Sequence, residues 1–166
     1  STRSLVLDAL TPGGGGAGAI ADCDDTRVIA DAIALFRSSS KGAAITVDVK
    51  ASGAALRFLT AFFAVQDGCD VTLMGEPRLC QRPMQPLIET LEQCGADIEC
   101  LEADGHAPLR VKGKALEGGE VTIDATISSQ FISALLMVAP LMRRGLKIIF
   151  EGEPVSLPYI IMTAGM

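Results

Sequence analysis

The sequence predicts an α/β fold in which apolar helices form the interior and mixed sheets lie outside them. The segments 56–65 and 131–141 have helical length and are apolar on almost every side, and a helix without a polar face is buried. By contrast, the segments 109–112 and 120–125 alternate apolar and polar residues, which is typical of strands with one face in water. The buried layer is therefore predicted to be helical, unlike the central sheet of a doubly wound fold.

An internal repeat supports the same fold class. When the chain is shifted by 77 residues, the Gly-Glu-Pro tripeptide at 75–77 aligns with the identical tripeptide at 152–154, and Ser52 aligns with Ser129. This period is too long for a solenoid unit and indicates a duplicated α/β subdomain. We therefore predict part of one domain over residues 1–166, with a partial unit at 1–40 followed by units at about 45–112 and 120–166.

The predicted elements begin with a helix that includes residues 5–10. A glycine run at 13–16 forms a loop that leads to a short strand near 19–21. The acidic segment 22–25 offers an N-cap and first-turn carboxylates for a helix that ends near Phe36.

Alternation or apolar periodicity predicts the remaining elements. Pro83 fits the first turn of a helix that ends at Cys94, because Gly95 follows it. The others are strands at 45–49, 71–74, 98–101, 109–112, 120–125 and 146–150, and helices at 56–65, at 131–141 and from about Pro158 onward.

Composition and charge exclude several classes of function. The 166 residues leave room for one domain with a sizeable core. A formal net charge of −6 argues against general nucleic-acid binding, which needs a broad basic surface. Five cysteines without a C-x-x-C pair, together with a single histidine, do not assemble a zinc site. No metal site is predicted.

The predicted compartment is the cytoplasm. The cysteine pattern is interpreted as reduced thiols, the N-terminal segment does not have the pattern of a signal peptide, and no apolar run approaches the ~18 residues that a membrane span requires. Both ends of the sequence interrupt apolar helical patterns. We therefore expect this sequence to be part of a larger protein.

Three segments in which a loop enters an apolar helix are suited to anion binding: 53–57, 78–83 and 128–130. Backbone N–H groups at the start of a helix are unpaired and carry the positive end of its dipole. Arg57 and Arg82 add guanidinium groups, which hold carboxylates or phosphates in a bidentate fork. We expect a small, doubly anionic substrate, and we expect the three junctions to meet at one positively charged cleft.

Each of these residues also has a simpler interpretation. Ser128 could serve only as a helix N-cap, Gly53 as a turn glycine, Arg82 as a solvated loop charge and Tyr159 as a packing aromatic. Arg57 lies within an apolar helix, where an unpaired charge is costly. Its role stays open between a structural ion pair and a place in the site.

Several motifs occur in a fixed order along the chain: the segments 78–84, 91–96, 128–131 with 134–137, and 158–160. The residues Arg3-Ser4-Leu5 and the segment 24–27 fit the start of the same pattern. This ordered set resembles the EPSP synthase (3-phosphoshikimate 1-carboxyvinyltransferase) family over essentially the whole sequence.

The resemblance implies a fold and a reaction. The family fold has two halves of repeated βαβαββ units with helices inside, and this sequence matches most of the half that binds shikimate 3-phosphate. The implied reaction transfers the enolpyruvyl group of phosphoenolpyruvate to the 5-hydroxyl of shikimate 3-phosphate by addition and then elimination of phosphate, with no metal or cofactor. The acid/base residues are expected mostly in the other half or just before Ser1, so this piece alone is expected to be inactive.

The resemblance also assigns substrate contacts. It implies that shikimate 3-phosphate is bound by Arg3, Ser128, Ser129, Gln130, Ser156 and Tyr159. It implies that phosphoenolpyruvate is bound by Gly53, Arg82 and Gln130. Three positions depart from the family pattern, namely Ala51, Ala54 and Leu157, where Asn, Thr and a basic residue are usual. The first two leave the shape of the phosphoenolpyruvate pocket, and sensitivity to its competitor glyphosate, open.

Two alternatives remain at this point. One is the related enolpyruvyl transferase that acts on UDP-N-acetylglucosamine and carries a reactive Cys before its Arg-Pro pair; Cys80 lies in the equivalent loop, but only two residues before Arg82. The other is a non-catalytic module that binds phosphorylated metabolites.

Overall fold

The computed structural model describes residues 1–14 and 22–166, so the strand predicted near 19–21 lies outside the described residues. The helices are α1 Thr2–Leu10, α2 Asp24–Ser38, α3 Gly53–Ala64, α4 Pro77–Cys80, α5 Gln85–Gln93, α6 Ser129–Val138 and α7 Leu157–Ala164, and a 3₁₀ turn at Ala139–Leu141 follows α6. The strands are β1 Ala44–Asp48, β2 Asp70–Met74, β3 Asp97–Cys100, β4 Leu109–Lys112, β5 Gly119–Asp124 and β6 Leu146–Glu151.

The strands form two separate sheets. A four-stranded sheet has the order β1-β2-β4-β3, in which β1 and β2 are parallel and the other pairs antiparallel. A second sheet consists of the parallel pair β5-β6. Helix α3 connects β1 to β2, and α6 connects β5 to β6 in the same way. Both sheets are therefore built on a β-α-β crossover, as parallel neighbours require.

The predicted layer order is confirmed. Every residue of 58–64 in α3 is buried, and in α6 only Gln130 and Leu136 are not buried. The two helices pack against each other. In β6, by contrast, no residue is buried. The two sheets, one mixed and one parallel, therefore lie outside a helical core, because α3 and α6 are apolar on almost every side.

Several predicted helices have different bounds in the structure. The helix predicted at 56–65, for example, is α3 Gly53–Ala64. The helix expected from Pro83 begins at Gln85, with Met84 as its N-cap and Pro86 in its first turn. The backbone N–H of Met84 donates to the carbonyl of Gly105 (2.7 Å) in a distant loop. The separate short helix α4, which Pro77 opens, precedes α5. The helix expected to reach residue 141 ends at Val138 and tightens into a 3₁₀ turn around Pro140, which has no N–H to continue the α-helical ladder.

The two crossovers can be compared residue by residue. Asp48 and Asp124 are the last residues of their strands, and each accepts a hydrogen bond from the backbone N–H two residues later (2.9 Å). Ser52 and Ser128 are the N-caps of the helices that follow. The uniform shift of 77 residues, which aligned Ser52 with Ser129, is therefore wrong by one position at the helix start. The division of the chain into subdomains stays a prediction.

None of the helices in the described ranges combines the length and the apolar character needed to cross a bilayer.

Candidate functional site

The predicted convergence of the three junctions is confirmed. The starts of α3 and α6 and the turn that carries Arg82 line one open cavity of about 890 Å³. The starts of α1 and α7 complete its wall. All eight substrate-contact residues predicted from the sequence lie around it: Arg3, Gly53, Arg82, Ser128, Ser129, Gln130, Ser156 and Tyr159.

The second junction differs in detail from the expectation. Arg82 lies in the turn between α4 and α5 and not at the start of a helix, and its backbone N–H donates to the carbonyl of Leu79 (3.0 Å). The side chain of Arg82 is exposed. Arg78 is inside α4 and is not among the residues that line the cavity. Of the two arginines in this junction, only Arg82 is placed to meet a ligand there.

The start of α3 is held by a cap. The Ser52 hydroxyl oxygen accepts a hydrogen bond from the backbone N–H of Ala55 (3.0 Å), and the hydroxyl donates to a carboxylate oxygen of Asp25. Gly53 is the first helical residue. A Cβ atom at Gly53 would lie 2.6 Å from Nη1 of Arg57 and 3.6 Å from Nη1 of Arg82. The missing side chain therefore lets the two guanidinium groups approach the helix start.

Arg57 reaches from α3 to α6. Its Nη1 donates to Oε1 of Gln130 (2.8 Å), and its guanidinium lies over the ring of Phe131, 5.3 Å from the centroid. Nε of Arg57 is buried and has no hydrogen-bond partner among the described residues. Burial lowers the pKa of Arg57, and the nearby positive charge of Arg82 lowers it further.

Positive charge in this part of the cavity is not neutralised. In the described ranges, neither Arg57 nor Arg82 makes an ion pair with a carboxylate. Two like charges held near each other repel, and an anion between them relieves that repulsion. The structure thus disfavours the ion-pair interpretation of Arg57 and adds this residue to the site.

The start of α6 combines a cap with free polar groups. The Ser128 hydroxyl oxygen accepts from the backbone N–H of Gln130 (3.2 Å), so Ser128 is an N-cap as well as a cavity residue. Within the described part of the chain, the Ser129 hydroxyl makes no hydrogen bond although the residue is only 8% exposed. Hydroxyl groups and unpaired N–H groups at a helix start form a site for phosphate oxygens.

Arg3 reaches the cavity from α1 and contacts α6 and α7. It is 9% exposed, and its guanidinium lies between two rings, 5.2 Å from the centroid of Phe58 and 5.5 Å from that of Tyr159. Its Nε donates to the hydroxyl of Thr163 (2.8 Å), and its Nη2 donates to the hydroxyl of Ser133 (3.2 Å). Burial lowers the pKa of Arg3, although an arginine remains charged at any physiological pH.

The start of α7 carries the last two predicted residues. Ser156 has the left-handed backbone conformation (φ 54°, ψ 46°), which costs energy for a residue with a side chain and is common at functional sites. Its side chain is exposed and makes no capping hydrogen bond. Tyr159 is 54% exposed and faces Arg3, so it is not a core packing residue.

The model of the EPSP synthase family (3-phosphoshikimate 1-carboxyvinyltransferase) matches residues 2–166 of this sequence. The chain belongs to this family. Its curated relatives include the 3-phosphoshikimate 1-carboxyvinyltransferase of Bacteroides fragilis, with 40% identity over 163 residues, which covers 98% of this chain and 38% of that protein. The enzyme of the same name from Tolumonas auensis is 37% identical over 182 residues, which covers 98% of this chain and 42% of that protein.

The EPSP synthase structure of Acinetobacter baumannii has a similar fold. It superposes with a TM-score of 0.54 over 58% of this chain and 22% of that one, at 24% identity. The chain spans about two fifths of the length of the two curated relatives named above, at 38% and 42%.

The positions that depart from the EPSP synthase pattern divide into two groups. Ala51 and Ala54 both line the cavity, beside Gly53. Small apolar side chains therefore line the cavity at these two positions. Leu157 is 46% exposed at the first position of α7 and does not line the cavity.

Asp25 is the site residue that the sequence reasoning missed. It is the sole carboxylate among the described residues that line the cavity. The segment 22–25 was interpreted as first-turn acid for α2, and Asp25 does lie in that turn. The available signal was its place inside the matching segment 24–27 of the EPSP synthase pattern.

Cys80 gives no support to the related transferase that carries a reactive cysteine. Its thiol donates to the carbonyl of Gly75 (3.5 Å) within its own turn, and it is not among the cavity residues. The family model that matches is that of 3-phosphoshikimate 1-carboxyvinyltransferase.

Proposed function

We propose that the intact protein transfers the enolpyruvyl group of phosphoenolpyruvate to the 5-hydroxyl of shikimate 3-phosphate and releases phosphate. The observation that carries this proposal is the single cavity that collects Arg3, Arg57 and Arg82 beside the capped starts of α3 and α6. Two phosphates and two carboxylates enter this reaction, and a rigid set of cations and N–H groups is the arrangement that binds them. The match to the EPSP synthase family supports the same activity.

Shikimate 3-phosphate binds, in this proposal, along α6 and between α1 and α7. Ser128 and Ser129 meet the phosphate at the start of α6, where the Ser129 hydroxyl lacks a partner among the described residues. Arg3 offers N–H groups to an anionic group of the substrate, and Ser156 and Tyr159 close the same side of the cavity.

Phosphoenolpyruvate binds on the α3 side. Arg82 contacts it directly, and Gly53 leaves the space that the ligand and the two guanidinium groups need. Gln130 is held by Arg57 through its Oε1 atom, so its side-chain NH₂ group is left to donate to either substrate. The free NH₂ group supports the proposal that Gln130 contacts both substrates.

In this proposal, the general acid and the general base are supplied by residues outside this sequence. A general acid and base are needed to move protons during addition and elimination, and Asp25, the carboxylate of this cavity, already accepts a hydrogen bond from Ser52. We therefore propose that a second half of the same protein completes the site. We also propose that the activity is cytoplasmic.

Steady-state kinetics of the intact protein test the proposal. With both substrates present, we expect inorganic phosphate and the enolpyruvyl ether of shikimate 3-phosphate in equal amounts. UDP-N-acetylglucosamine as the acceptor is expected to release no phosphate. Binding of shikimate 3-phosphate without any phosphate release would leave only a metabolite-binding module and overturn the proposed reaction.

A further inference from the structure

We propose that Ser133 and Thr163 are positioning residues that fix the guanidinium of Arg3 toward the ligand cavity. The inference rests on the proposed function, because it concerns how Arg3 meets shikimate 3-phosphate. Neither hydroxyl lines the cavity, and neither residue was assigned a role from the sequence.

Both hydroxyl groups are buried in the helical core. Ser133 is fully buried in α6, and Thr163 is 6% exposed in α7. A buried polar side chain in an apolar helix is costly unless it is hydrogen-bonded. Here each hydroxyl oxygen accepts from Arg3: Thr163 from Nε at 2.8 Å and Ser133 from Nη2 at 3.2 Å.

The two hydroxyl groups that accept from Arg3 are themselves held by hydrogen bonds within the protein. The Thr163 hydroxyl lies 2.7 Å from the carbonyl oxygen of Tyr159, to which it donates along the helix. The two hydroxyl oxygens are 3.1 Å apart. Both acceptors for Arg3 are thus held by helix backbone or by each other. Two helices therefore set the position of a side chain that belongs to a third.

The geometry leaves a defined set of donors for a ligand. An arginine has five N–H groups, and the two hydroxyls take one on Nε and one on Nη2. Both N–H groups of Nη1 and one of Nη2 remain. The guanidinium also lies over the rings of Phe58 and Tyr159, which limit its movement. The free donors are therefore presented as a preorganised fork, the form that binds a carboxylate or phosphate bidentately.

Calorimetric binding of shikimate 3-phosphate to the intact protein tests this role. Thr163→Val removes one charge-assisted hydrogen bond and is expected to raise the Kd about tenfold. Ser133→Ala is expected to raise it in the same direction, and Thr163→Ser, which keeps the hydroxyl, to stay within about twofold of wild type. Thr90→Val is the matched control, since Thr90 is a buried helical threonine whose hydroxyl donates to the carbonyl of Pro86 (2.7 Å) and makes no hydrogen bond to an arginine in the described ranges.

A double variant separates positioning from general stability. In the Arg3→Ala background, Thr163→Val is expected to cause no further loss of binding, because the two residues act through one guanidinium. An unchanged Kd for both Thr163→Val and Ser133→Ala, or an undiminished effect of Thr163→Val without Arg3, would overturn the inference alone. Failure of the wild-type protein to bind shikimate 3-phosphate would instead overturn the proposed function.

Discussion

Replacement of Gly53 by alanine tests the proposed phosphoenolpyruvate side of the cavity. The added Cβ would lie 2.6 Å from Nη1 of Arg57, whereas ordinary contacts begin at 3.4 Å. The guanidinium must therefore retreat by about 0.8 Å, which is enough to lengthen or bend its 2.8 Å hydrogen bond to Gln130. Gly53 itself has ordinary helical geometry, so the substitution places no strain on the backbone.

The magnitude follows from the hydrogen bond to phosphoenolpyruvate that, in the proposed function, is lost when Arg57 and the Gln130 side chain it holds are displaced. A hydrogen bond to a charged group contributes about 1.5–3 kcal/mol. Its loss corresponds to roughly a ten- to hundredfold change in affinity. We expect the KM for phosphoenolpyruvate to rise within that range, and the KM for shikimate 3-phosphate to rise several-fold less. The melting temperature is expected to change little, because the better helix propensity of alanine offsets part of the stability lost with the weakened Arg57–Gln130 hydrogen bond.

The assay is steady-state phosphate release by the intact protein with each substrate varied in turn. Gly165→Ala is the matched control, because a Cβ at Gly165 meets only ordinary contacts, the nearest at 3.5 Å. The reasoning is refuted if Gly53→Ala changes both KM values equally, or if it lowers the melting temperature while both KM values stay at the wild-type level.

Three further predictions concern other parts of the molecule. Arg82→Ala is expected to raise the KM for phosphoenolpyruvate at least tenfold with little effect on thermal stability, because the side chain is exposed and makes no ion pair in the described ranges. Ser156→Gly is expected to stabilise the fold by on the order of 1 kcal/mol, since glycine adopts the left-handed conformation without cost, and to weaken binding of shikimate 3-phosphate through loss of the hydroxyl. Hydrogen bonds from Arg110 to both carboxylate oxygens of Asp70, at 2.9 and 2.7 Å, lower the pKa of Asp70 below its usual 3.8. The stability that this pair contributes is present above the unfolded-state pKa and is lost as the pH falls through the folded-state pKa, so the difference in melting temperature between wild type and Asp70→Asn is expected to shrink in that range.

Different measurements check these three predictions. Kinetics and thermal melts of Arg82→Ala contradict the first if stability falls and the KM does not rise. Chemical denaturation contradicts the second if Ser156→Gly is clearly less stable than wild type, and calorimetry contradicts it if binding is unchanged. For the third, a difference in melting temperature that persists undiminished at the lowest pH rules out the proposed linkage.

The helices at the centre of the fold could be predicted because a fully buried helix has apolar residues on almost every side. The helices α3 and α6 carry no complete polar face, and such a helix is stable only in the interior. The crossover strands were equally readable from their alternation. The start of α5 was not, because Pro86 rather than Pro83 lies in its first turn. Nor could the sequence show that the N–H of Met84 pairs with a carbonyl from a loop about twenty residues later in the chain. A long-range hydrogen bond of this kind has no local signature.

The sequence predicted most of the residues that line the candidate site, but it predicted fewer of the contacts between them. The order of the motifs along the chain was enough to predict Arg82 and Ser128 as site residues. The role of Arg57 was not decided, because the sequence does not show whether a carboxylate lies near it. The structure places Gln130 and Phe131 against Arg57, and the one nearby charge that affects its pKa is positive.

The sequence by itself determined which segments are apolar throughout, where loops meet helix starts and which family pattern the motifs follow. These properties depend on residues close together in the chain, so periodicity and local composition record them. Only the tertiary structure decided that three arginines share one cavity and that Ser133 and Thr163 bind Arg3. The same is true of Gly53, whose missing side chain lets two guanidinium groups approach the start of α3. The contacts of Arg3 join residues that are 130 and 160 positions apart, and such proximity arises from helix packing rather than from any local preference of the chain.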